Sequence, residues 1–168
     1  MNLTEKLEQK AFFESILNSQ GQVAPTIIVF SKYREPVGLS LEFDDEMSDR
    51  MITTIFRRLV EKSNATHYTF FSEIEDTQEG HHSSAIIAIN NSGDNVKCDF
   101  WNVIIPESED SEFSLEESGS YKAGGDFEFD NLPTNLFDKT PLNKVPFHVL
   151  QDIDGMLEDL LIKMKATH

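Results

Sequence analysis

The densest set of metal-type side chains in the chain runs from Glu73 to His82: Glu73, Glu75, Asp76, Glu79, His81 and His82. Adjacent histidines beside carboxylates are ligands that zinc or nickel accept. The spacing argues against a single ion. On an extended chain neighbouring side chains point to opposite sides, so His81 and His82 cannot readily share one tetrahedral centre. No H-x-x-x-H or C-x-x-C accompanies them. The plainer reading is a solvated hairpin loop. A metal-dependent enzyme built on Glu79, His81 and His82 stands as the rival.

Other chemistries leave fainter traces. Asp152-Ile153-Asp154-Gly155 looks like part of a calcium loop, but it lies inside a helical pattern where its two carboxylates diverge. There is no G-x-S-x-G and no H-E-x-x-H. His67 falls in a strand pattern and His148 near a helix start, and both read as structural histidines. Gly124-Gly125 is followed by Asp126, which repels phosphate rather than cradling it. Cys98 alternates with Val96 and Phe100 and reads as a buried core thiol, slow to react. Arg57 and Arg58 read as ordinary helix-surface residues, and Trp101 as core. No catalytic residue and no cofactor is expected.

Charge is the strongest signal. Between Glu107 and Asp130 stand nine carboxylates against Lys122 alone, a net of −8 out of the formal −16. The members are Glu107, Glu109, Asp110, Glu112, Glu116, Glu117, Asp126, Glu128 and Asp130. Such a segment repels phosphate backbones and anionic lipid surfaces, which counts against nucleic acid and membrane as partners. It attracts a basic protein. It also keeps a protein soluble, the bland alternative. The self-repulsion predicts that part of 107–125 is mobile, anchored by Phe113, Leu115, Phe127 and Phe129.

A chain of 168 residues suits a single domain, 1–168, with one core. One cysteine permits no internal disulfide, which fits a reducing, cytoplasmic setting. No apolar run is long enough to span a membrane, and the N-terminus lacks a signal-like apolar core.

Periodicity supplies the elements. Leu3, Leu7, Ala11, Phe12, Ile16 and Leu17 recur at helical spacing, giving a helix over 4–18 closed by Gly21. Ile27 to Phe30 is apolar on both strand faces, as in an interior strand. After a turn at 33–36, Val37, Leu39, Leu41 and Phe43 alternate with smaller or polar residues as its hairpin partner. A second helix runs from Met47 to Lys62 and stops at Asn64, with acids before it and bases at its end. Strands follow at 66–74, 85–89 and 96–105. Val96, Cys98 and Phe100 are even, while Trp101, Val103 and Ile105 are odd. That change of phase predicts a β-bulge near Phe100–Asn102. Phe113 with Leu115, and Phe127 with Phe129, could each form a short edge strand. An irregular linker at 131–144 is anchored by Leu136 and Phe137. A last helix over 146–165 turns Val149, Leu150, Ile153, Met156, Leu157, Leu160, Leu161 and Met164 to one side.

Residues 26–103 resemble a group of small prokaryotic and phage-type α+β proteins. The matching pieces are Val37-Gly38, Phe70-Phe71-Ser72-Glu73 and Ala85-Ile86-Ile87-Ala88-Ile89, continued by Val103-Ile104-Ile105. The aromatic often found soon after Ser-Glu in that group is replaced here by Ile74-Glu75-Asp76. The resemblance implies a fold and carries no activity. A second likeness is to secretion chaperones, small acidic α+β dimers, although only two strands precede the second helix here.

The expectation is an α+β domain in which an antiparallel sheet of five or more strands is packed by three helices. Its function is non-enzymatic: an acidic adaptor or chaperone-like module meeting a basic partner through Glu107, Glu109, Asp110, Glu112, Glu116 and Glu117. A homodimer is open to such a chain, and a small-molecule pocket is a further alternative.

Overall fold

A computed structural model describes residues 3–32, 34–41, 49–76, 83–108, 110–122, 136–137 and 145–166. In chain order the elements are α1 (Leu3–Gln20), β1 (Thr26–Ser31), β2 (Arg34–Ser40), α2 (Asp49–Lys62), β3 (Ala65–Asp76), β4 (Ser83–Asn91), β5 (Val96–Ile104), β6 (Ser114–Lys122) and α3 (Phe147–Ala166). The six strands form one antiparallel sheet in the order β2-β1-β3-β4-β5-β6. This is the α+β architecture expected from the pattern of helices and strands.

The sheet is packed on both faces. On one, Ile55, Phe56, Leu59 and Val60 of α2 and Ile153, Leu157 and Leu161 of α3 meet Ile27, Val29, Tyr68, Phe70, Ile87, Ile89 and Cys98. On the other, Phe13 and Leu17 of α1 join Val23 against Phe71, Ile86, Ala88, Trp101 and Leu115. Successive residues of a strand point to opposite faces. The run Ile86-Ile87-Ala88-Ile89 is therefore apolar throughout because each face has its own core.

Two-sided burial also corrects the reading of β5. Val96, Cys98 and Phe100 face α2 and α3, while Trp101 and Val103 face α1. Pairing of β5 with β4 is regular from Ala85–Asn102 to Asn91–Val96. The change of phase is thus ordinary alternation between two cores. A bulge does exist at the expected position, but on the neighbouring strand. Phe100 pairs with Gly119 and Trp101 with Glu117, leaving Ser118 of β6 as the extra residue.

Local stops behave as the residue types dictate. Gly21 adopts φ +79°, and its amide donates to the Leu17 carbonyl at 2.8 Å, closing α1. Asn64 adopts φ 51° after α2, where the Ser63 hydroxyl donates to the Leu59 carbonyl at 2.7 Å. Arg34 to Pro36, expected in a turn, belong to β2. There the register slips between Val29–Val37 and Ser31–Arg34. Pro36 is tolerated because β2 is an edge strand and the ladder is already broken at this point.

Two more expectations change. Met156 is 46% exposed, so the buried stripe of α3 is Ile153, Leu157 and Leu161. The short edge strand expected at Phe113 and Leu115 is longer, a nine-residue strand over residues 114–122. Leu115 supplies the reason, because it is buried against the α1 core. The anchoring of the linker holds at Leu136, which is buried, and at Phe137, whose ring lies 5.3 Å from that of Tyr68. Phe127 and Phe129 lie outside the described residues.

Candidate functional site

The acidic segment is built onto the sheet by three devices. Ser108 and Ser111 close a turn: the Ser111 amide donates to the Ser108 carbonyl at 3.1 Å, and the two hydroxyls lie 2.9 Å apart. Next, the Asn18 side chain clamps the Phe113 backbone. Its Oδ1 accepts from the Phe113 amide at 2.8 Å and its Nδ2 donates to the Phe113 carbonyl at 3.3 Å. Finally, β6 zips onto β5 from Ile104–Ser114 onward.

This framework fixes where the carboxylates point. Glu107, Asp110, Glu112, Glu116 and Glu117 are all exposed. Leu115 is buried on the α1 face, so Glu117, two residues on, shares that face, where Lys6 of α1 is ion-paired with it. That contact raises the Lys6 ammonium above its ordinary value, chiefly through the hydrogen bond to Glu117. Glu116 lies on the opposite face, opposite Asn102. Among the described residues Glu107, Asp110, Glu112 and Glu116 meet no basic side chain. Glu109 lies outside the described residues.

Apolar residues complete the surface and escaped the reading of the sequence. Ile104 and Ile105 are 46% and 58% exposed. Ile104 shares its face with Asn102, and hence with Glu116 and Ser114 across the ladder. In the sequence these isoleucines look like the end of a core strand. What distinguishes them is exposure at the very end of β5, which closes at Ile104. The end of β5 thus exposes two isoleucines where the chain runs into the acidic turn, and Ile104 shares one face of the sheet edge with Glu116 of β6.

The rival metal loop is only partly visible. Glu73 is structural: its carboxylate accepts from the Val23 amide at 3.3 Å, and its own amide donates to the Val23 carbonyl at 3.0 Å. Glu79, His81 and His82 lie outside the described residues. Among the described residues no group of three or more His, Cys, Asp or Glu side chains is placed to hold an ion. Asp152 and Asp154 do diverge, with Asp154 turned to α2. Arg58 Nε donates to Asp154 Oδ1 at 2.8 Å and its Nη2 to Oδ2, while Lys62 reaches Glu158 at 3.0 Å. Arg58 is therefore a clip between two helices rather than an ordinary surface residue.

The remaining candidates are structural. Cys98 is buried, and burial pushes its thiol up from the ordinary range, with the neighbouring Asp99 adding to the effect. Trp101 is buried and donates from Nε1 to Gln9 Oε1 at 2.8 Å. His67 is exposed and stacks on Phe30, the ring centres 4.4 Å apart and 5° from parallel. His148 is exposed at the start of α3. Among the described residues no helix is long and apolar enough to cross a membrane. Comparison of the chain with protein families, with curated proteins and with solved structures returns no match.

Proposed function

We propose that the protein is a non-enzymatic binding module, set in the cytoplasm, that engages a basic protein segment along β6 and the 107–112 turn. The observation that carries this reading is that exposed Ile104 and Ile105 lie at the end of β5 just before Glu107, Asp110 and Glu112, which with Glu116 on β6 meet no basic side chain among the described residues. An apolar centre inside a charged rim is the general anatomy of an interface. β6 is also the terminal strand of the sheet, and no strand pairs with its outer edge among the described residues. A partner strand could add there through backbone hydrogen bonds, with lysines or arginines meeting the acids.

Complementary charge acts mostly on encounter. The test is an association-rate series against salt, using a lysine-rich peptide that carries two leucines. The comparison is between wild type and the combined Glu107→Gln, Glu109→Gln, Asp110→Asn, Glu112→Gln variant. The variant should associate about tenfold more slowly at low salt. Its dependence on salt should flatten, because screening acts over about 8 Å at physiological ionic strength. Equal rates and slopes would leave the carboxylates as solubilising charge on an exposed edge, a role such residues often fill.

A further inference from the structure

On the α1 face the helix covers only part of the sheet. Beside its N-terminal half an open cleft of about 420 Å³ is lined by Glu5 and Gln9 of α1, by His67 and Thr69 of β3, by Asn90 and by Lys97. Ser92 and Asn95 of the β4–β5 turn close one end. This is within the size range of ligand sites, about 300–1,000 Å³ and near its lower bound, which suits one or two rings.

The cleft's polar groups are oriented by bonds behind them. The Trp101 indole donates to Gln9 Oε1 at 2.8 Å, which leaves Gln9 Nε2 as the free end of that amide. The Thr69 hydroxyl donates to Asn90 Oδ1 at 2.6 Å, which leaves Asn90 Nδ2 likewise. Neither amide nitrogen meets an acceptor among the described residues. Asn91, one residue along, differs: its Nδ2 donates to the Tyr68 hydroxyl at 3.1 Å and its Oδ1 accepts from the Gly93 amide at 2.8 Å. Lys97 adds a third donor, its side chain only 20% exposed. His67 supplies a flat ring at the rim, held parallel to Phe30.

Three donors would suit an anion, but the charge decides against one. Lys97 Nζ lies 3.9 Å from Asp99 Oδ1, a buried carboxylate that also accepts from Ser120. That partner offsets the one cation in the lining. Glu5 adds a negative charge, and the whole chain carries −16. A phosphate or carboxylate would meet a field of its own sign. A neutral molecule rich in hydroxyl oxygens accepts from all three donors without that cost. It also sets C–H groups against an imidazole ring.

We propose that this cleft binds a free neutral saccharide of one or two rings, with Gln9 Nε2, Asn90 Nδ2 and Lys97 Nζ donating to its hydroxyl oxygens. Two variants test the donors without disturbing what lies behind them. Gln9→Glu keeps an oxygen for Trp101, and Asn90→Asp keeps an oxygen for Thr69. Each replaces the donor nitrogen by an oxygen that only accepts. Glucose, N-acetylglucosamine and maltose are titrated into the isotope-labelled protein, with inorganic phosphate and benzoate as anionic controls. At least one sugar should shift the Gln9 and Asn90 side-chain amide signals saturably, while both anions leave them in place. Either variant should weaken that binding by about tenfold or more, the effect of losing a hydrogen bond worth about 1.4 kcal/mol. Trp101 fluorescence and the melting temperature report whether each variant folds, and the two substitutions lie on different elements, so one readout survives the loss of the other. Absence of any shift with all three sugars overturns the proposal. So does a larger effect of phosphate or benzoate, or unchanged sugar affinity in a folded variant.

Discussion

The Leu136 amide donates to the Tyr68 hydroxyl at 3.0 Å, joining a linker residue to the centre of the sheet across 68 positions of chain. The same hydroxyl accepts from Asn91 Nδ2 at 3.1 Å, and all three residues are buried. Burial is the main cause that raises the Tyr68 phenol above its ordinary value, so it stays protonated through the neutral range. Tyr68→Phe would remove the oxygen that accepts from the Leu136 amide and from Asn91 Nδ2. The expected loss is about 2–3 kcal/mol, read from urea unfolding at neutral pH. Faster exchange of the Leu136 amide should accompany it. A change below about 0.5 kcal/mol would mean that this contact does not hold the linker.

The clip between α2 and α3 makes a statement about pH. Hydrogen bonds from Arg58 hold the Asp154 carboxyl below its ordinary 3.8, with the nearby charges of Arg58 and Lys62 acting in the same direction. A depressed folded value means the stabilisation is fully present above about 3.8, the unfolded value. It is lost as pH falls through the lower, folded value. Asp154→Asn should cost about 1 kcal/mol at neutral pH, a modest figure because the pair is partly open to solvent. The gap between wild type and variant should close as pH drops below about 3.8. A gap that stays constant down to the acid transition would show that Asp154 contributes by packing alone.

Cys98 should ignore thiol reagents in the native protein. It is 3% exposed, and burial keeps the thiol protonated. Labelling should track global unfolding, accelerating with urea in step with loss of tertiary structure. Rapid stoichiometric labelling without denaturant would place Cys98 on an accessible surface.

The fold was largely legible because hydrophobic period reports burial. Helical spacing found α1, α2 and α3, and Gly21 and Asn64 marked the ends of the first two by their tolerance of positive φ. What period cannot report is which face a residue meets when both faces are buried. Phe100 and Trp101 are apolar neighbours for that reason, and their change of phase imitates a bulge. The true bulge at Ser118 sits in Glu-Ser-Gly-Ser, where no apolar residue marks the alternation. In the candidate site the acids were visible as charge. Exposure of Ile104 and Ile105 was not, because it depends on what packs over the end of β5. The cleft beside α1 was invisible for a similar reason. Gln9, Asn90 and Lys97 are far apart in sequence and common in type, and only the sheet and α1 bring them together.

Where a basic segment docks is read directly by chemical-shift mapping. The lysine-rich peptide with two leucines is titrated into the isotope-labelled protein at physiological salt. Saturable shifts should concentrate on Ile104, Ile105, Glu107, Asp110, Glu112 and the β6 amides from Ser114 to Glu117. Asp152, Glu158 and Asp159, exposed carboxylates on α3, should move little. Shifts spread over α3 as strongly as over the β6 edge would contradict that location, since attraction would then follow net charge and not a site.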